Sequence, residues 1–392
     1  MAFNFYNPTK MSFGCGKLET VGEEVKKYGS SCLLVTTPNS EAVLRPLYDR
    51  VKAILDRSGI RWVHFDEVVP NPDVRGIAKA IQIVRKEKLE VVLAVGGGSS
   101  LDTAKSIALF WELDDIDWSE MFQKYSSPFE DYALPGTSVL PVVAVPTTAG
   151  TGSEMTQAMI VSDHEKNDKE CVYHRAVFPK VAIIDPELTR TLPPYPTAIT
   201  GFDAFTHSFE SYMREDHAST YTMTLGKAAM RDIIRVLPKL VKDPQNMEYR
   251  VTMSQAAAFS GISLSNASAT IPHPLSEVIG GVVPRIAHGQ CLACLYPGFL
   301  RFQITKTPER CADIARLFDA SLEQVSDQEA AAKLPELMEA FLAEIGLNKT
   351  LKELGVTEEQ YAEMRGNFVF NVLPFAPKDT LLAILESSYS GV

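Results

Sequence analysis

Apolar residues along this chain follow one rhythm in its first half and another in its second. CLLVT (32–36), WVHF (62–65), EVVLAV (90–95) and VVAV (142–145) are short runs rich in valine and leucine, the pattern of strands buried on both faces. Between the first three, residues 41–58 and 73–88 repeat apolar side chains at helical spacing. Strands alternating with helices predict a parallel sheet. KVAIIDP (180–186) is the last stretch of β character, and from about 197 the pattern is helical, with long amphipathic stretches at 221–242, 310–319 and 328–345. The boundary is expected in LTRTLPPYPTA, where Pro193, Pro194 and Pro196 break any helix. That divides the chain into an α/β domain, 1–192, and a helical domain, 193–392. Phe3 and Phe5, then Met11 and Phe13, alternate as short strands would. No internal repeat or low-complexity segment is evident.

Two loops follow predicted strands. EVVLAV runs into GGGSSLDTAKSIALF, where Gly96, Gly97 and Gly98 let backbone approach a ligand, and Ser99 and Ser100 precede a helical pattern carrying Ala104, Ile107 and Ala108. A strand, a glycine turn and a helix N-terminus can cradle a phosphate, because unpaired N–H groups and the helix dipole both favour an anion. The stretch matches neither GxGxxG nor GxxxxGK[ST], and a tight turn between packed elements explains it equally well. VVAVPTTAGTGSE (142–154) enters a second loop, in which Thr147, Thr148, Thr151 and Ser153 offer uncharged hydroxyls. Such a loop suits a sugar or a nicotinamide amide, or is an ordinary turn with local hydroxyl-to-backbone bonds.

GFDAFTHSFESY (201–212) concentrates the candidate metal chemistry. Asp203 and His207 stand four residues apart in a helical pattern, on one face. His273 in IPHPLSE and His288 in IAHGQ follow in Gly/Pro-punctuated sequence. One oxygen and three nitrogens suit Fe(II) or Zn(II) better than Ca or Mg. The competing reading is a solvated helix face or a capping pair. Three of only seven histidines fall in this arrangement, among apolar and small residues. His164 and His217 lie in charged stretches, while His64 and His174 lack a nearby partner in sequence and read as structural.

Composition narrows the classes. At 392 residues two cores are expected, and the net charge of −11 argues against nucleic acid or an anionic membrane as partner. No run of 18 apolar residues appears, and MAFNFYNPTK lacks the basic and apolar regions of a secretory signal. The six cysteines form no disulfide framework. Cys291 and Cys294 make a single CxxC, for which helix packing is the preferred reading. Together these features read as cytoplasmic.

GGGSSLDTAK, PTTAGTGSE, DPELTRTLPP, TGFDAFTHSFESY and the HG at 288–289 come in an order that resembles the iron-containing, or group III, alcohol dehydrogenases. The resemblance extends from NPTKMSFGCG to the last helical stretch. It implies an N-terminal α/β dinucleotide domain, an all-helical C-terminal metal domain, and hydride transfer between NAD(P) and a small primary alcohol or its aldehyde. It also implies a homo-oligomer, a dimer or larger. Carried over by position, the ligands are Asp203, His207, His273 and His288. The coenzyme contacts include Asn71, Gly97, Gly98, Ser99, Thr147 and Thr148, with Thr37 and Ser153 as further candidates from the turn after CLLVT and the second loop. Asp102 is placed near the nicotinamide. Fe(II) leads Zn(II) on the resemblance alone, since imidazole suits both.

The chain departs from the family pattern in one place. Many members carry a second histidine four residues after the first, where this chain reads HPLSEVIGG. His273 matches either the second, leaving Ala269 at the ligand position, or the first, with Glu277 one turn on; the latter is preferred, because alanine would cost the site a ligand. Glu277 then becomes a candidate proton relay, or else caps a helix or pairs with Arg285. In the implied mechanism the cleft between domains brings the nicotinamide beside the metal, which acts as a Lewis acid. Phe202, Phe205 and Arg285 are candidate pocket residues, each better explained by packing or surface. The turn Thr37-Pro38-Asn39-Ser40 has no acid to hold the ribose 2′-hydroxyl, so NADPH is expected to be accepted alongside NADH. Glycerol-dehydrogenase-like or dehydroquinate-synthase-like enzymes, and a non-catalytic coenzyme-binding sensor, are the alternatives.

Overall fold

The structure, a computed structural model, describes residues 3–163, 165, 166 and 168–391. The chain forms two compact units, Asn4–Leu192 and a second from Pro193 onward that also takes in Phe3. His164 lies outside the described residues.

The first unit runs β1 (Lys10–Phe13), α1 (Val21–Lys26), β2 (Ser31–Val35), α2 (Arg45–Arg57), β3 (Arg61–Phe65), α3 (Val74–Glu87), β4 (Val91–Gly96), α4 (Gly98–Phe110), α5 (Trp118–Lys124), β5 (Val142–Pro146), β6 (Ala158–Asp163), β7 (Asp168–Tyr173) and β8 (Val181–Ile184). Six strands form one parallel sheet in the order β1-β8-β5-β4-β2-β3. Its central strands are apolar throughout because both faces are covered. Leu33, Val35, Val92, Ala94, Val142 and Ala144 point into the core shared with α3, α4 and α5. The alternate residues Cys32, Leu34, Val91, Leu93, Val143 and Val145 point into the core shared with α1 and α2, as a two-residue period requires. Each such valine or leucine contributes about 1.5–3 kcal/mol by leaving water. After β2 the chain turns toward β3, and after β4 it turns the other way toward β5. The ends of β2 and β4 therefore flank a topological switch point, where ligands of open parallel sheets bind.

Two strands escape the hydrophobic pattern, and of the two short N-terminal strands expected one forms. β6 and β7 pair as an antiparallel hairpin with Ala158 opposite Tyr173. Among the described N-terminal residues only Lys10–Phe13 is a strand, on the sheet edge against β8, while Phe3 and Phe5 lie outside it.

The second unit is helical: α6 (Pro194–Met213), α7 (Thr220–Lys242), α8 (Met247–Ala267), α9 (Pro272–Val282), α10 (His288–Lys306), α11 (Pro308–Phe318), α12 (Asp327–Glu344), α13 (Glu358–Arg365), α14 (Val369–Val372) and α15 (Lys378–Ser390). Ser219 and Thr222 form a capping box on α7, as do Ser326 and Glu329 on α12. The expectation that Pro193, Pro194 and Pro196 break a helix is corrected. Pro193 is the cap of α6, and Pro194 and Pro196 sit in its first turn, where an N–H has no helical partner to lose. α6 is the central element, buried along most of its length. Phe202, Phe205 and Phe209 pack around Tyr296 of α10, which makes Phe202 and Phe205 core residues. Among the described residues no helix is long and apolar enough to cross a membrane.

Candidate functional site

Helical spacing on α6 puts Asp203, His207 and Glu210 on one face. The short helix α9 carries His273 and Glu277, and α10 starts at His288. Gly289 brings this start against α6: a Cβ there would lie 2.2 Å from the Ile199 carbonyl oxygen, so any larger residue would push His288 away.

Three imidazoles surround one carboxylate oxygen. Asp203 Oδ1 is 3.5 Å from His207 Nε2, 3.8 Å from His273 Nε2 and 3.7 Å from His288 Nε2. Hydrogen bonds of this type are about 2.7–3.2 Å long. A tetrahedral ion with bonds of about 2.0–2.2 Å holds its ligand atoms roughly 3.3–3.6 Å apart, close to what is found. Asp203 Oδ1 and His273 Nε2 are buried without a hydrogen-bond partner, which an ion would supply. Ligand atoms of Asp203, His273 and His288 all lie within 4.8 Å of one another. His207 is outside that mutually close set, yet its ring stacks on His273 with centroids 4.7 Å apart. It is His273, not residue 269, that faces Asp203; the Ala269 carbonyl accepts from Arg214 Nη1 at 3.1 Å.

The outer nitrogens of His273 and His288 are also engaged, whereas Nδ1 of His207 is buried without a hydrogen-bond partner. His273 Nδ1 is 2.8 Å from Glu210 Oε1. Ser276 Oγ donates to the His273 carbonyl and lies 3.1 Å from His288 Nδ1, so it can accept that N–H. Both bonds leave Nε2 as the ligating nitrogen. Burial would raise the Asp203 carboxyl, but His207, His273 and His288 hold it well below the usual range. Burial lowers His207 to about 4, against the pull of Asp203. Burial also opposes charge on His273, but Glu210 and Asp203 overcome it and raise the imidazole to about 10. Donor types, spacing and orphaned atoms fit a divalent transition ion.

Glu277 reaches the same cluster from one turn beyond His273, its Oε1 3.6 Å from His288 Nδ1. Arg285 is exposed and donates to the Leu354 and Gly355 carbonyls at 2.7 and 2.8 Å, tying the segment after α9 to a distant turn. Ser268, which precedes α9, holds φ 64 and ψ 172, a glycine-favouring conformation that costs about 1–3 kcal/mol in other residues. Cys291 and Cys294 are buried on α10, with Cys294 Sγ donating to the Lys349 carbonyl at 3.0 Å.

In the first unit the glycine turn and the Thr/Gly loop stand side by side at the ends of β4 and β5. α4 begins at Gly98, so Ser99 and Ser100 stand inside its first turn rather than ahead of it, and no side chain caps it. Its N-terminal N–H groups thus lie at the switch point, a favourable place for an anion. A Cβ on Gly98 would sit 2.8 Å from Thr151 Cγ2, so glycine is required for the two loops to meet. Ser99 stands in the first turn of α4, and Thr147 N donates to the Gly96 carbonyl at 2.9 Å, carrying the sheet pairing into the second loop. Thr148 lies beside Gly97. Thr37 Oγ1 is 2.7 Å from Tyr48 OH at the end of β2. Asn71 holds φ 58 ahead of α3, beside a cavity of about 420 Å³ lined by Phe65, Val68, Pro70, Asp73 and Thr103.

Asp102 and Ser153 differ from the other candidates in facing inward. Ser153 Oγ donates to Asp102 Oδ1 at 2.6 Å and accepts from Lys105 Nζ at 2.6 Å. Asp102 Oδ2 accepts from Ile160 N at 3.2 Å. Lys105 is fully buried and also donates to Thr156 Oγ1 and the Ala158 carbonyl. Burial pushes Asp102 up and Lys105 down to about 8, while their mutual attraction opposes both shifts. Nearby Glu154 is 3% exposed, and burial raises it to about 7. This network ties the Thr/Gly loop to α4.

Sequence reasoning missed Lys105, Glu154, Glu210 and Asp66. Asp66, at the end of β3, accepts from Asn39 N at 3.3 Å and puts a carboxylate beside a turn that reads as neutral. His64 and His174 do have partners: Thr36 Oγ1 at 2.8 Å from His64 Nε2, and Ala176 N donating to His174 Nδ1.

Residues 8–186 match the family model "Iron-containing alcohol dehydrogenase", and residues 197–385 match "Fe-containing alcohol dehydrogenase family, C-terminal". The chain is 33% identical over 360 residues to a choline dehydrogenase of Bacillus subtilis, covering 91% of this chain and 86% of the relative. It is 30% identical over 395 residues to a probable NADH-dependent butanol dehydrogenase of the same organism, covering 98% and 99%. The crystal structure of an archaeal halo-thermophilic alcohol dehydrogenase from a Red Sea brine pool superposes with a TM-score of 0.89 at 32% identity, over 99% of each chain. The chain belongs to the iron-containing alcohol dehydrogenase family and is an NAD-linked alcohol oxidoreductase.

Proposed function

We propose that the protein interconverts a small primary alcohol and its aldehyde at a divalent metal, Fe(II) ahead of Zn(II), held by Asp203, His207, His273 and His288. One observation carries this reading: a single buried Asp203 oxygen with three imidazole nitrogens 3.5–3.8 Å away. A cation held there would supply Lewis acidity toward a carbonyl or alkoxide oxygen, and a nicotinamide coenzyme would supply or accept the hydride. The chain's own residues do the rest. His273 and His288 keep Nε2 available because Glu210 and Ser276 engage Nδ1. Glu277, 3.6 Å from His288 Nδ1, relays the proton that the alcohol oxygen loses or gains.

Thr37, Asn71, Gly97, Gly98, Ser99, Thr147 and Thr148 form the coenzyme-binding set. The uncapped start of α4 at a switch point supports it. Asp102 and Ser153 hold the Thr/Gly loop in place for the coenzyme rather than touching reacting atoms. NADH is the working coenzyme and NADPH is accepted less well, because Asp66 stands beside the turn after β2. Coenzyme oxidation with a panel of small aldehydes, after loading the metal-free protein with Fe(II) or Zn(II), tests the function. Turnover that requires the metal, at one ion per chain, is expected. Equal turnover in metal-free and loaded protein would refute the metal's part, and no turnover with any aldehyde would refute the substrate class.

A further inference from the structure

We propose that Glu210 is the positioning residue of the metal centre, through which α6 clamps the strained turn that presents His273. The inference rests on the metal reading above. Glu210 is fully buried, and its two oxygens hold two points of one segment. Oε1 lies 2.8 Å from His273 Nδ1, and Oε2 accepts from Thr270 N at 2.8 Å. Tyr296 OH adds a contact of 3.4 Å to Oε1. Ser211 of α6 and Arg214, the residue that ends it, take the carbonyls just before: Ser211 Oγ donates to Ser268 at 3.4 Å and Arg214 Nη1 to Ala269 at 3.1 Å. The turn from Ser268 to Thr270 is thus gripped residue by residue from the last turn of α6 and the residue that follows it.

That grip explains how Ser268 keeps φ 64 and ψ 172. Such a conformation persists in a non-glycine residue only where its surroundings over-determine it. The turn sets where α9 begins and so where His273 stands. Glu210 then fixes the ring itself, since a carboxylate on Nδ1–H sets the tautomer, stops the ring from swivelling and makes Nε2 a better donor to a metal. A carboxylate buried this deeply would be costly without such a set of donors and a cationic partner nearby. Glu210 lies three residues beyond His207 on the same helix, so one rigid element supplies two ligands and the brace for a third.

Full-length Glu210→Gln and Glu210→Asp would be stripped of metal and titrated with Zn(II) against a chromophoric chelator. Co(II) would then be added to each for its visible spectrum. Zn(II) affinity is expected to fall about 10–100-fold in Glu210→Gln, with a changed Co(II) spectrum, and by less in Glu210→Asp, which keeps the charge. Tryptophan-monitored unfolding of the first unit should not move. A parent that binds Zn(II), with Glu210→Gln within about threefold of it and the same Co(II) spectrum, overturns this inference and leaves the metal reading intact. A parent that binds neither ion overturns the metal reading instead. Should neither variant fold, Glu210 serves the stability of the helical unit, and the positioning role is withdrawn.

Discussion

Replacing Glu154 by glutamine should make the first unit more stable at neutral pH, although it removes a charge only a few residues from the coenzyme loop. Burial raises this carboxyl to about 7 from an ordinary 4.5, with a hydrogen bond to its own backbone and the charge of Lys105 only partly opposing. At about 1.4 kcal/mol per pH unit that interval corresponds to a ceiling of about 3 kcal/mol. The sign follows from proton linkage. A group whose folded-state value lies above its unfolded one contributes fully below about 4.5, and the contribution is lost as pH rises to about 7. Glutamine mimics the protonated acid and does not titrate. The gain from Glu154→Gln should therefore be near zero at pH 4.5, grow to about 1–3 kcal/mol by pH 7, and stay constant above. All three tryptophans, Trp62, Trp111 and Trp118, belong to the first unit, so urea unfolding followed by tryptophan fluorescence reports on it alone. With a slope of about 2 kcal/mol per M, the midpoint should rise about 0.5–1.5 M at pH 8. A variant less stable than the parent at pH 8, or a difference that does not change between pH 4.5 and 7, would refute the reasoning.

Three further outcomes are expected. Glu277→Gln should lower kcat about a hundredfold or more with metal content and melting temperature unchanged; turnover within a few-fold of the parent across the pH range would remove it from the proton path. Asp66→Asn should raise the NADPH-to-NADH ratio of kcat/KM about tenfold, roughly 1.4 kcal/mol of relieved repulsion of a 2′-phosphate, and an unchanged ratio would show that Asp66 does not reach the ribose. Arg285→Ala should leave the relative kcat/KM of acidic and neutral aldehydes unchanged while lowering thermal stability by about 1–2 kcal/mol through two lost charged hydrogen bonds; a selective loss of acidic substrates would return this residue to the pocket.

What could be read without coordinates depended on how far each element's own residues determine it. The central strands were legible because burial on both faces leaves no polar interruption, as in Val91–Gly96. The β6–β7 hairpin was not: Asp168, Lys169 and Glu170 occupy half of β7, and only pairing with β6 makes that segment a strand. Asp203 and His207 stood out through spacing and residue type. Glu210 did not, since a lone glutamate on a helix usually faces water, although its place three residues past His207 was available as a signal. Lys105 was hidden for the same reason, because only the tertiary structure shows a lysine with no exposure and three oxygen acceptors. The prolines at 193, 194 and 196 misled because their effect depends on whether they fall inside a helix or at its first turn.

The meeting of α6 with the starts of α9 and α10 has a mechanical consequence. α6 is locked into its aromatic core by Phe202, Phe205 and Phe209, whereas α9 is short and is held by side-chain bonds at the turns on either side, Glu210 to Thr270 and Arg285 to Leu354. A cation shared by Asp203, His273 and His288 would join three segments remote in sequence, as a disulfide joins two, and would close long loops in the unfolded chain. Loss of the ion then acts unevenly. The α6 amides should stay protected from hydrogen exchange while those of α9 and the first turn of α10 open. Chelation would loosen one wall of the site long before it unfolds the unit that carries it.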